Sequence, residues 1–584
     1  MPIYPRSIIA SLLLCPVAFG QDPSASPASR KLKAPEETTN PVTGQLRTYD
    51  DAGAPRFGQA QYVKQTLFLK PDPTYSIADP TRLKDFVVGE KFELSLRSFL
   101  ELALANNTQI MLQKVLVQPQ RNAIQRAFGA FDPIANARFT ATRQQTPTTD
   151  ALAGAAILSQ LSQPLTLGVT QLLENGLQYQ VNYSAQKVST NNSFANFNPF
   201  YTSNLNVTLT QPLLRNRGGY FNKIPVYIAK ARLRSTEFRF EDTINRLLAN
   251  AENAYWDVIG ARENLKVQEQ ALGLADTSLK RAQRELELGA ISPLDIYQPQ
   301  ATYARSEILV TQARYRLAQF EDVLRLQMAV DLDPDLRKLP IVLTEPVLPP
   351  TDTKPFDKEA LVSEALALRP DLKATRQDVL NDDLFVRQAA NNLRPDLSLF
   401  GNYTSQGRGG NLLQRRNVFN SDGSVSPVTQ VIPGGITDAV SQMFGFSFPV
   451  YGFGVQLRLP LRDRRAAADY ADSVVAKRAD LLAERQVVQQ VRLDVLNAIN
   501  LVENSRASVE LAKIAADLAQ KRVEAEQKKY DLGTTTLFFV LAAQQDLSQA
   551  QSDLVTQSVT YRRNQLNLLQ RSGKLLSDRG VVLQ

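Results

Sequence analysis

The chain has 584 residues, with 66 Lys and Arg against 58 Asp and Glu for a net charge of +8, no histidine and a single cysteine. Without histidine, the usual metal ligand and the usual general base near neutral pH are both missing. Basic and acidic residues are interspersed, which argues against nucleic-acid binding, and no glycine-rich phosphate loop follows a strand. The carboxylates lie scattered along helix surfaces, where solvated faces and i,i+4 pairs account for them, so the sequence predicts no catalytic residue, no cofactor and no metal site.

At the N-terminus, Arg6 precedes the apolar run Ile8 to Leu14, and Ala18-Phe19-Gly20 offers a small-x-small cleavage site. That run is too short to span a bilayer, so residues 1–20 read as a signal peptide. Cys15 falls inside it, and a lipidated Cys15 is the competing reading. Residues 21–80 are rich in Pro, Ser, Thr and Asp and read as an extended periplasmic tail.

Two copies of one plan follow, over 81–330 and 357–572, joined by a proline-rich linker at 331–356 and followed by a tail at 573–584. In the first copy we expect a helix over 94–130, strands within 133–213, a long helix over 222–288 and a helix over 293–330. In the second, the corresponding elements are 357–393, 397–460, 466–532 and 537–571. Pro119 and Pro299 predict kinks in the shorter helices. The repeat is visible in the residues themselves: Asn253/Asn497, Val258/Val502, Ala275/Ala519, Leu288/Leu532 and Gly289/Gly533 coincide at one constant offset. Ala103/Ala365 and Pro133/Pro395 coincide at a larger one, so the intervening segment is longer in the first copy. Duplication of this extent signals one architectural unit used twice.

The long helices are proline-free past their first turn, and each is roughly 100 Å long at about 1.5 Å per residue. Ile244, Leu247, Ala251, Ala254, Val258 and Ala261 advance by alternate threes and fours, the seam of a left-handed coiled coil. One of the two seam positions is nearly always small, as at Ala254, Ala261, Ala275 and Ala282, so neighbouring helices can approach closely. A dimeric coiled-coil stalk has the same seam. Two shorter helices stacked tip to tip, however, match one long helix in length, as a wall of uniform height requires.

Between the helices, Ala135, Ala137 and Phe139 alternate with polar residues, as do Leu205, Val207 and Leu209, Leu397, Leu399 and Tyr403, and Val455, Leu457 and Leu459, with Phe400 out of phase. A half-buried soluble sheet shows this pattern, and so does a membrane barrel with lipid outside and water inside. About four strands per chain cannot close a barrel, which needs about eight, so a barrel must be shared between subunits. Another alternating pair flanks the Glu174-Asn175-Gly176 turn, a hairpin signal over 165–185 whose place in or beyond the barrel is open. Asn191 to Phe200, and the segment containing Gly407, Gly409, Gly410, Gly423, Gly434 and Gly435, read as long loops on the extracellular side.

In order and duplication, these pieces resemble the TolC-like outer-membrane efflux protein family. The resemblance runs from about Leu94 to Gly573 and is carried by Leu102-Ala103-Leu104-Ala105-Asn106-Asn107, Glu364-Ala365-Leu366-Ala367-Leu368-Arg369-Pro370-Asp371-Leu372, Leu209-Thr210-Gln211-Pro212-Leu213-Leu214, Leu457-Arg458-Leu459-Pro460-Leu461, Leu288-Gly289 and Tyr530-Asp531-Leu532-Gly533-Thr534. It implies an α+β membrane protein: a homotrimer with a shared twelve-stranded barrel in outer-membrane lipid, continuous with a periplasmic α-helical coiled-coil barrel. It also implies a passive exit duct for efflux or type I secretion, with a periplasmic adaptor (a membrane fusion protein) and an inner-membrane pump as partners.

The same resemblance marks residues at the tip. The adaptor-contacting turns are Leu288-Gly289 and Leu532-Gly533. The family's acidic gate positions fall here on Phe539 and Ala542, implying an apolar constriction that includes Phe538. Asp295 and Tyr530 match the family's latch pair, while the expected latch arginine is Thr535. Plainer roles for these residues are that Asp295 caps its own helix and that Phe538 and Phe539 pack in the coil. A secreted coiled-coil scaffold or surface protein without channel activity is the rival to the whole reading. The residues do not distinguish drug, metal or protein cargo.

Overall fold

The computed structural model describes residues 80–148, 155–349, 355–419 and 425–581. The signal peptide, Cys15 and the tail up to residue 79 lie outside the described residues.

Helices carry most of the chain. In the first copy α1 (Leu96–Asn106) and α2 (Thr108–Phe128) precede the strands, and α3 (Ile224–Glu287) and α4 (Tyr297–Met328) follow them. In the second copy α5 (Lys358–Leu368) and α6 (Pro370–Asn392) precede, a short α7 (Ile436–Phe444) interrupts, and α8 (Arg464–Asp531) and α9 (Leu537–Arg571) follow. The helices expected over 94–130 and 357–393 are therefore each broken in two. The breaks occupy equivalent places and arise by different chemistry. Asn107 accepts the Gln109 and Ile110 N–H groups at 2.9 and 3.3 Å and so caps α2. In the second copy, Pro370 opens α6 at a position where its missing N–H costs nothing. Pro119 lies within α2 without ending it, and Pro299 stands in the first turn of α4, where proline is tolerated.

The seam residues are where the periodicity predicts. Ile244, Ala251, Ala254, Val258 and Ala261 are buried in α3, and Val491, Val495, Ala498 and Val502 in α8. Helix α3 packs on α2, α4, α6 and α9, and α8 packs on α5, α6 and α9. The largest core sits where α1, the middle of α3 and the end of α4 meet, around Phe99, Tyr255, Trp256, Leu324 and Met328. The inter-repeat linker and the stretch before α1 contribute a small sheet that the sequence did not announce. Here β1 (Val87–Val88) pairs with β2 (Lys91–Leu94), and β2 runs parallel to β8 (Ile341–Leu343). Glu345 anchors the linker by accepting the Leu96 N–H at 2.7 Å and the Tyr255 hydroxyl.

The large sheet is richer than four strands. Its members are β3 (Ile134–Phe139), β4 (Thr142–Pro147), β5 (Ile157–Leu172), β6 (Gln178–Thr190), β7 (Phe197–Pro212), β9 (Asp396–Arg415), β10 (Val428–Ile432) and β11 (Phe448–Arg458). β3 and β4 are successive parts of one path along β5, and the antiparallel order then runs β5, β6, β7, β9 and β11. β10 pairs with the far end of β9. The hairpin over 165–185 thus joins the wall, between β3 and β7. Its turn lies at the helical end of the sheet, since Glu174 pairs with Lys223 at the start of α3.

Cross-strand register sorts the two faces. Ala135, Val169, Val181, Val207, Tyr403 and Tyr451 form one row across the sheet, and Asn136, Gly168, Asn182, Asn206 and Thr404 form the row beside it on the opposite face. The polar row is knit together by the Asn206 amide donating to Thr404 Oγ1 at 2.7 Å. The out-of-phase Phe400 lies on this polar side, its ring over Gly454, where a Cβ would come within 2.7 Å of the ring.

The glycine-rich segment expected as a loop is largely strand and helix. Gly407 and Gly409 lie within β9 because α7 rests on them. A Cβ at Gly407 would sit 1.8 Å from the Ala439 carbonyl oxygen, and one at Gly409 2.1 Å from that of Gly435. Phe197 to Phe200 likewise belong to β7, while Gly423 lies outside the described residues.

Candidate gate at the helix tips

Both long helices end in the same backbone motif. Gly289 donates to Leu286 O at 3.0 Å and Ala290 to Glu285 O at 2.8 Å, while Gly533 donates to Tyr530 O at 2.9 Å and Thr534 to Lys529 O at 3.0 Å. These are paired Schellman turns, which require a left-handed residue, and Gly289 and Gly533 supply it at φ 73° and 72°. A Cβ at either glycine would meet open space, so conformation alone selects glycine. The motif pushes the preceding leucine outward, leaving Leu288 82% and Leu532 80% exposed.

Beyond the second turn, α9 begins with Phe538 and Phe539, rings edge-to-face at 5.6 Å and both exposed. Val540, Leu541 and Ala543 are buried on the inner side of that helix. Phe539 and half-buried Ala542, three positions apart, share the other face, which continues to Asp546 and its 2.7 Å ion pair with Arg522 of α8. A shallow depression beside them is lined by Glu526, Lys529, Thr534, Thr535 and Phe539. Among the described residues no helix is long and apolar enough to cross a membrane, and no acidic or sulfur cluster could hold a metal ion.

The latch candidates are not brought together within the chain. Asp295 is exposed and accepts the Ser292 N–H at 3.3 Å in its own turn. Tyr530 instead donates to Glu285 Oε2 at 2.5 Å, and half-buried Thr535 lies along the depression. Burial first, then the Glu285 carboxylate, pushes the Tyr530 phenol up to about 12, so it remains a donor at any ordinary pH. Arg281 completes the group, bonded to Glu285 at 2.9 Å and Asp531 at 2.7 Å, with its guanidinium 4.6 Å above the Tyr530 ring. These carboxylates hold the Arg281 guanidinium above its usual range.

Sequence reading missed Arg281, Glu285 and Asp531. For Arg281 and Glu285 the signal is a departure from the repeat: Arg281 aligns with Ala525 and Glu285 with Lys529, so the second copy lacks the two residues that the first contributes to the knot, whereas Asp531 aligns with the acidic Glu287 and carries no such signal.

Comparison with known proteins places the chain in a family. The chain is 25% identical over 359 residues to Outer membrane protein TolC of Vibrio cholerae, covering 59% of this chain and 72% of that one. It is also 25% identical over 334 residues to Outer membrane protein TolC of Escherichia coli, covering 56% of this chain and 62% of that one. Among solved structures, the Campylobacter jejuni CmeC outer membrane channel superposes with a TM-score of 0.57 at 14% identity, over 88% of this chain and 94% of that one. With residues 175–329 and 361–574 matching the profile described as "Outer membrane efflux protein", the chain belongs to that family of outer-membrane efflux channels.

Proposed function

We propose that three copies of this chain form an exit duct, with a barrel in the outer membrane and a helical tunnel in the periplasm. An inner-membrane pump and a periplasmic adaptor deliver cargo to it, the adaptor docking on Leu288-Gly289 and Leu532-Gly533. The observation that carries this reading is a sheet with one apolar and one polar face whose two edges have no partner among the described residues of the same chain. Backbone groups left unpaired in hydrocarbon each cost several kcal/mol, which demands closure by neighbouring copies.

The gate we assign to the tips. Phe539 and Ala542, with Phe538 behind, line the closed passage, and apolar rings impede ions by dewetting. Arg281, Glu285, Tyr530 and Asp531 hold the two long helices together at that level, and Asp295 and Thr535 face the next copy. Docking of the adaptor on the exposed leucines moves the tips outward. The duct does no chemistry of its own.

Fractionation and conductance test this together. A barrel partitions with membranes, needs detergent for extraction and gives discrete conductance steps in planar bilayers. A secreted scaffold remains in the aqueous fraction and gives none.

A further inference from the structure

We infer that each copy contributes six strands rather than four, so that the assembled barrel has eighteen strands in place of the twelve that the family resemblance implies. The inference rests on the trimeric reading above and concerns the β5–β6 hairpin.

Three observations carry it. The hairpin is hydrogen-bonded on both sides, β5 to β3 and β4, and β6 to β7, so removing it from the wall would break two complete ladders. Its residues also keep the facial sorting of the whole sheet. Val169 and Val181 complete the apolar row between Ala135 and Val207, and Gly168 and Asn182 complete the polar row between Asn136 and Asn206. A hairpin standing off the wall in water has no reason to keep its apolar positions in register with a lipid-facing surface. Both strands are long enough as well: β5 has 16 residues and β6 has 13, against about 9–11 for a tilted crossing.

The free edges supply the closure. Among the described residues, β3 and β4 are exposed at every position and pair only with β5, while β11 pairs only with β9 and leaves Phe453 88% exposed. Strand β3 leaves the helical end of the sheet and β11 returns to it, so β11 of one copy meets β3 of the next antiparallel. Six strands per copy keep the alternation unbroken around the ring.

Electron microscopy of the unmodified protein in lipid nanodiscs should count eighteen strands in three sets of six. Accessibility gives a second readout in a Cys15→Ser background. Val181→Cys should be shielded from a water-soluble maleimide by lipid and Asn182→Cys labelled through the lumen, matching Val207→Cys and Asn206→Cys on β7. Twelve strands, with both hairpin cysteines labelled from water while Val207→Cys remains shielded, would overturn the inference and leave the channel intact. If Val207→Cys is labelled like the rest and no barrel is seen, the proposed function fails along with it.

Discussion

Arg281 of α3 and Asp531 of α8 face each other at 2.7 Å just before the glycine turns, with the guanidinium 4.6 Å above the Tyr530 ring. The pair is partly exposed, so its Coulomb energy is small, and the strength of the knot lies in combining it with the Tyr530–Glu285 hydrogen bond. We expect Tyr530→Phe, which deletes one hydroxyl and preserves packing, to raise closed-state leak in planar bilayers by about fivefold, the equivalent of about 1 kcal/mol. Arg281→Ala should raise it further. Equal leak in both variants would reduce the knot to surface decoration. Because the Tyr530 pKa is raised, its contribution is complete below pH 10 and is lost as pH climbs through about 12, so leak should be flat between pH 6 and 9.

Phe539 is predicted to set the selectivity of the closed tip. Phe539→Asp places three carboxylates around the axis of a trimer and replaces a dewetted ring with a hydrated one. Cation conductance and cation selectivity should both rise. An unchanged reversal potential under a salt gradient would remove Phe539 from the passage.

Gly533 tests whether the turn geometry matters for docking. Gly533→Ala meets no atom but must hold φ near 72°, costing about 1–2 kcal/mol. Hydrogen exchange of the amides from Tyr530 to Thr536 should accelerate, and adaptor crosslinking at Leu532 should weaken. Gly533→Asn, better tolerated in the left-handed region, should fall between. Identical exchange in all three proteins would show that the turn is not fixed by its glycine.

The periodic parts of this fold could be read directly, and the aperiodic parts could not. Seam residues such as Ala254 and Val502 report their own burial, because a helix that fills a wall repeats the same demand every turn. The pairing partner of the hairpin around Asn175 was invisible because alternation fixes the face of a strand but not its neighbour. The break at Asn107 was missed because a mid-helix asparagine becomes a cap only when the chain turns there. The tip glycines were legible as turns, whereas Arg281 and Glu285 looked like any other i,i+4 surface pair.

Asp382 predicts a pH signature. Burial, then neighbouring Asp480 of α8, and then Asp378 and Asp383 on its own helix, push its carboxyl up to about 6. Arg239 of α3 and Lys477 of α8 neutralise Asp378 and Asp383, leaving Asp382 facing Asp480. The native state thus holds a proton that the unfolded chain releases near pH 4, and stability falls as pH rises from about 4 to about 6. Asp382→Asn should remove that slope and gain on the order of 1 kcal/mol at pH 7 after allowance for solvent screening. Thermal melts at pH 4.5 and pH 7 decide it, and a gain of the same size at both would point to packing instead of charge.

Arg579 holds the C-terminal segment onto the waist of the long helix α3. Its guanidinium donates to both oxygens of Glu252, at 2.7 and 3.0 Å, and that carboxylate is only 1% exposed. Removing the cation strands a buried charge, which typically costs about 3–5 kcal/mol. Arg579→Ala should therefore release the segment, and limited trypsin digestion should cut faster at Lys574, which an ion pair with Glu364 otherwise ties down. Arg579→Lys keeps the charge and loses the fork, so it should be cut at an intermediate rate. Pairing Arg579→Ala with Glu252→Gln removes the stranded charge and should restore part of the protection. If the double variant is cut as fast as Arg579→Ala, the clasp depends on the arginine's own packing and not on the carboxylate beneath it.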